Sequence, residues 1–181
     1  MPIVWTENEA ANQLLEEDPL ALLIGLVLDQ QVKMEKAFGG PYELKQRLGH
    51  LDAAKIAAMD PEELDRVFRQ RPALHRFPGS MARRVQELCR AVVGEYGGEA
   101  GRVWKEAGSG KELASRIGKL PGFGDMKVKI TVAVLAKKFG VKPPGWEAQA
   151  AQWHTVADVD SAESMAEARD VKRRMKAEHP H

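Results

Sequence analysis

Residues 110–139 read GKELASRIGKLPGFGDMKVKITVAVLAKKF. Lys111–Ile117 has helical spacing, and Leu120-Pro121-Gly122-Phe123-Gly124 turns the chain. Asp125–Phe139 then resumes as a helix that Gly140 stops. The spacing therefore predicts helix, tight bend, helix. Glycines in such a bend accept positive φ and let another backbone come close. The amides of the bend, and those opening the next helix, have no intrahelical partner, and the helix dipole adds partial positive charge there. Lys119, Lys127 and Lys129 surround the bend with cations. Gly122, Phe123, Gly124 and these lysines are thus candidates for holding phosphates of a nucleic-acid strand without reading its bases.

Helical signals dominate on both sides of this stretch. Asp18 can cap a helix whose first position is Pro19, and Pro19–Leu28 is apolar on nearly every face. It runs abruptly into Asp29, Gln30 and Gln31. Gly39-Gly40-Pro41 reads as a break before a helix over Tyr42–Leu48. Asp60-Pro61 opens a helix to Arg69, and Ser80 can cap Met81–Tyr96, where Ala82, Val85, Leu88, Cys89 and Val92 share a face. A last helix is predicted from Asp160 or Ser161 to about Ala177, with Glu163 completing a capping box. Neither a convincing run of strands nor an internal repeat is visible, so the expected class is all-α.

Hydrophobic residues make up 44% of the 181, enough for a real core, and the formal net charge is only +1. That total conceals an asymmetry. Residues 1–65 carry five Lys/Arg against thirteen Asp/Glu, residues 66–90 seven against one, and residues 102–145 ten against three. The basic middle includes Arg83 and Arg84, which are candidate phosphate contacts or ordinary surface arginines. One cysteine, Cys89, excludes an internal disulfide and any four-cysteine cluster, and its helical run suggests a core position. The apolar run 19–28 is too short to span a bilayer. The start MPIVWTENEA shows no basic region followed by an apolar one. A cytoplasmic location is expected.

Three segments, in order, resemble one family. LPGFG with its following helix is similar to the hairpin of the HhH-GPD base-excision DNA glycosylases, the group that includes endonuclease III and the alkyladenine glycosylases. Asp18–Gln31 resembles that family's first conserved helix and the turn after it, and Phe77–Leu88 its later aromatic-turn-helix segment. The resemblance implies an all-α bilobal fold with double-stranded DNA, damaged or abasic, held across a cleft. One lobe would span residues 18–140; residues 1–17 and 141–178 would build a second, reduced one. A monomer is expected. The resemblance places Gln31 as the residue that fills the gap left by an extruded base. It also implies a monovalent cation, potassium or sodium, at the hairpin carbonyls.

The chain departs from that family at the chemistry. Where the family has an aspartate after the helix that follows the hairpin, the nearest carboxylate here is Glu147, whose alternative reading is an exposed helix-start glutamate. Asp158 and Asp160 are further candidates, Asp160 being explicable as a cap. The bifunctional branch's lysine position is Met126, with Lys127 one step round the helix, so no efficient β-lyase step is expected. A single cysteine leaves no iron–sulfur cluster. Trp146 and Trp153 are base-stacking candidates or core residues, and a tryptophan-lined pocket would suit a cationic, alkylated purine. His75 could meet phosphate or pack. Three functions remain open: a monofunctional glycosylase, a non-catalytic damage-binding protein, and an interaction module whose last helix (Arg169, Lys172, Arg173, Arg174, Lys176) docks an acidic partner.

Overall fold

A computed structural model describes residues 2–178. Among them every regular element is helical. Two helices, α1 (Glu9–Glu17) and α2 (Pro19–Leu28), are separated by Asp18 alone. Its N–H ends α1 on Leu14 O, and its carboxylate accepts from the N–H groups of Leu20 and Ala21 to start α2. Leu20–Leu28 are all buried. One hydrophobic cluster runs from Ile3 and Trp5 through α2 to Met165 and Ala168.

The expected break at Gly39-Gly40-Pro41 does not occur. A continuous α3 (Met34–Leu48) runs through it and ends at Gly49 in the left-handed region. The glycine is there for close approach. A Cβ on Gly40 would lie 2.5 Å from Leu28 Cδ1, and one on Gly25 would lie 2.8 Å from Phe38 Cδ1. Each helix thus omits a side chain where the other inserts one. Pro41, inside the helix, is buried too.

Next come α4 (Ala53–Ala58), α5 (Pro61–Arg69) and α6 (Pro78–Tyr96), with α4 and α5 packed on α6. Gln86 ties this group together by donating to Ile56 O and Met59 O at the end of α4. Contrary to expectation, α6 begins before Ser80, at Pro78, with Phe77 in the cap position and no side-chain cap. Pro78 fits a first helical position because it has no N–H to satisfy. Cys89 is fully buried on α6, and burial pushes its thiol up to about 12.

After the single turn α7 (Arg102–Lys105) come α8 (Gly110–Gly118) and α9 (Asp125–Phe139), with Gly140 at φ 67° closing α9. Short α10 (Trp146–Gln149) packs on both, and a 3₁₀ turn (Val156–Asp158) packs on α9. The last helix, α11 (Ala162–Glu178), is capped by Ser161 as expected, with a different residue completing the box. Ser161 and Ser164 each accept the other's backbone N–H, and the Glu163 box is not formed.

Gly40→Ala should destabilise the fold by about 1–3 kcal/mol through overpacking against Leu28, read as a lower urea midpoint. Gly39→Ala, at a position where a Cβ meets nothing, should cost nothing comparable.

Candidate nucleic-acid interface

The bend between α8 and α9 forms as its sequence demands. Leu120 and Phe123 are both buried, so they anchor the turn to the core from either side of Gly122. The Phe123 N–H closes the turn on Leu120 O at 3.2 Å. Gly122 has φ 93°, and a Cβ there would sit 3.0 Å from Arg84 Cδ and 3.2 Å from Val27 Cγ2. Both its conformation and its packing on α2 and α6 therefore require glycine. Gly124 caps α9 without a side chain, so no side chain satisfies the N–H groups of that first turn. Gly124, Lys119 and Lys129 are exposed around it. Asp125 adds one carboxylate to the same turn.

Two expected contacts point elsewhere. The Phe123 ring is in the core, so only its backbone belongs to the bend's surface. Lys127 turns its ammonium inward, donating to Leu26 O at 2.6 Å and Asp29 O at 3.2 Å. Burial pushes its pKa down to about 8. Asp29 opposes that shift, while Lys172 and Arg84 add to it. Arg83 is exposed, whereas Arg84 is half-buried against Gly122.

The polar end of α2 meets these groups. A buried helix end leaves carbonyls without intrahelical partners. Besides Lys127, the fully buried His75 supplies Nε2 at 3.0 Å from both Leu28 O and Gln30 O. The Phe77 N–H donates to His75 Nδ1 at 3.0 Å, which fixes the neutral Nε2–H tautomer. The Gln30 amide donates to Val27 O. The Asp29 carboxylate, largely enclosed, pairs with Lys172 Nζ at 2.6 Å. So constrained, Gln31 adopts φ 56°, the only positive φ on a non-glycine among the described residues, with its side chain exposed. Sequence reasoning singled out Gln31 but missed Asp29 and the Lys127–His75 cap. The signal available was polar residues directly after a wholly apolar helix.

The remaining candidates lie apart. Glu147 is exposed on α10, whose start is tied to the end of α8 away from the bend by the Gly110 N–H on Pro144 O at 2.8 Å. Trp146 and Trp153 are half-buried and pack against the core cluster. Asp158 pairs with Lys137 at 2.6 Å and caps the Thr155 N–H. Asp160 accepts from the Ser164 hydroxyl. No group of three or more His, Cys, Asp or Glu side chains among the described residues could hold a metal ion. Nor is any described helix long and apolar enough to cross a membrane.

The described residues thus form an all-helical protein whose bend, flanked by the exposed Lys119 and Lys129, has no side-chain cap. A family model for the HhH-GPD superfamily base excision DNA repair protein matches residues 24–179. The chain belongs to the HhH-GPD superfamily and is a DNA-binding protein of base excision repair. Comparisons with curated proteins and with solved structures give no match.

Two outcomes follow from the turn. A left-handed non-glycine residue costs about 1–2 kcal/mol, so Gln31→Gly should raise the urea midpoint. Burial also holds the His75 pKa below its ordinary 6.5. In the window between the folded and unfolded values the unfolded chain binds the extra proton, so stability is intact above about 6.5 and falls as pH drops below it. His75→Gln keeps an amide donor but cannot titrate. Its urea midpoint should decline less than wild type between pH 7.5 and pH 5.

Proposed function

We propose that this chain is a monofunctional DNA glycosylase that extrudes a damaged base and hydrolyses its N-glycosidic bond. The observation that carries this reading is Gln31, held out of the protein in a strained conformation beside the bend. Strain of this kind persists only where surrounding structure enforces it. Here Lys127, His75 and the Asp29–Lys172 pair do so. On this reading the bend's amides, with Lys119 and Lys129, hold phosphates, and the Gln31 amide occupies the space of the extruded base. The duplex lies across the face between the segment 18–140 and the lobe of residues 1–17 and 141–178.

Glu147 is the proposed charge stabiliser for the sugar as the base leaves, its carboxylate opposing developing positive charge. Lys127 has no part as a nucleophile. Its ammonium is committed to Leu26 O and Asp29 O, and an amine must offer a free lone pair to attack. The bend's carbonyls are hard, neutral donors suited to a singly charged ion. Leu120 O, engaged once by the Phe123 N–H, keeps a lone pair for potassium or sodium.

A second reading, damage binding without catalysis, is favoured by the carboxylates. Asp29, the enclosed one at the turn, is neutralised by Lys172, and Glu147 lies in solvent.

The test is a panel of duplexes, each carrying one damaged base, incubated with the protein and then heated in alkali. The glycosylase reading expects cleavage at a lesion only after heating, and no borohydride-trapped complex. Glu147→Gln should slow the reaction by roughly 100-fold or more. Binding to every duplex with no cleavage of any would establish the damage-binding reading instead.

A further inference from the structure

One group of cations has no place in the site so far: those closing α11. Its buried residues, Met165 and Ala168, both lie in its first half. Past them the helix is held to the body by two ion pairs, Arg169 with Glu35 and Lys172 with Asp29. Asp29, in the link from α2 to α3, and Glu35, in the first turn of α3, bracket Gln31 in sequence. The helix is therefore laid against the very turn from which Gln31 projects.

The two pairs use up the carboxylates that the turn offers. Beyond Lys172, Arg173, Arg174 and Lys176 are all exposed. Arg173 meets Asp170 of its own helix at 3.9 Å, with both side chains mostly in solvent, an arrangement of little energetic consequence. Segment 169–178 reads RDVKRRMKAE, so its cations outnumber its acids. A positive surface thus adjoins Gln31, carried by an element other than the bend. Duplex DNA presents phosphates on both flanks of an extruded nucleotide, and one bend meets only a short run of them.

We propose that the C-terminal half of α11 is a second phosphate-binding element, gripping the duplex beside Gln31 through Arg173, Arg174 and Lys176. Arg169 and Lys172 act as clips that set the helix in place, and they neutralise the two carboxylates on the surface the DNA must approach. This rests on the reading that a duplex is bound at the bend and Gln31.

The experiment is equilibrium binding of an abasic-analogue duplex over a salt series. It compares wild type, the triple variant R173A/R174A/K176A, the single variant R174A and the bend variant K119A/K129A. None of these side chains is buried, and alanine preserves helicity, to be verified by circular dichroism. Each lost phosphate contact lowers the slope of log K against log salt by about 0.9. The triple variant should therefore lose about 2–3 from that slope and bind roughly tenfold or more weakly at low salt, with R174A about a third of the way. A triple variant matching wild type overturns the proposal and returns these cations to an acidic protein partner. If K119A/K129A loses slope at the same time, the bend reading survives that failure. If instead the triple variant alone loses slope, α11 is confirmed and the bend assignment falls. Wild type that binds no duplex at any salt sinks both.

Discussion

The end of α2 lies inside the protein, and only Gln30 supplies its carbonyls with donors from nearby in the chain. Lys127 reaches Leu26 O and Asp29 O from the first turn of α9, and His75 reaches Leu28 O and Gln30 O from the approach to α6. An unmet buried carbonyl costs of order 1–3 kcal/mol, so these contacts lock three distant parts of the chain into one register. The bend is seated on Val27 by the same arrangement, because the lysine that caps α2 lies in the helix the bend begins. Gln31 inherits its strained pose from it. The surface around the bend and Gln31 is thus a by-product of solving a burial problem at one helix end.

The parts of this design that depend on local rules could be read from residues. LPGFG, the Asp18-Pro19 start and the apolar run 19–28 each specify their conformation within a few positions, and all three stand in the structure. Features set by distant partners could not. Gly39-Gly40-Pro41 has the composition of a break, yet Leu28 fills the space Gly40 vacates and the helix continues. Lys127 looks like any cation near a bend until the carbonyls of α2 come within its reach. Short helices such as α4 and α10 hold too few residues for periodicity to show. Glu147 is singled out by the family resemblance, and its other reading, an exposed helix-start glutamate, describes where it lies.

Charge tells the same story at larger scale. The acidic first third of the chain is partly neutralised by its basic end, at Glu35–Arg169 and Asp29–Lys172. The basic middle keeps Lys119, Lys129 and Arg83 in solvent. A net charge near zero is therefore compatible with a locally positive face, because the compensation is internal and directional rather than averaged over the surface.

Cys89 has a consequence for the chain's endurance. With its thiol buried inside α6 and pushed up to about 12, it forms little thiolate at neutral pH, and thiolate is the form that oxidants and electrophiles attack. The molecule offers no sulfhydryl for peroxide to convert or for a second chain to bridge.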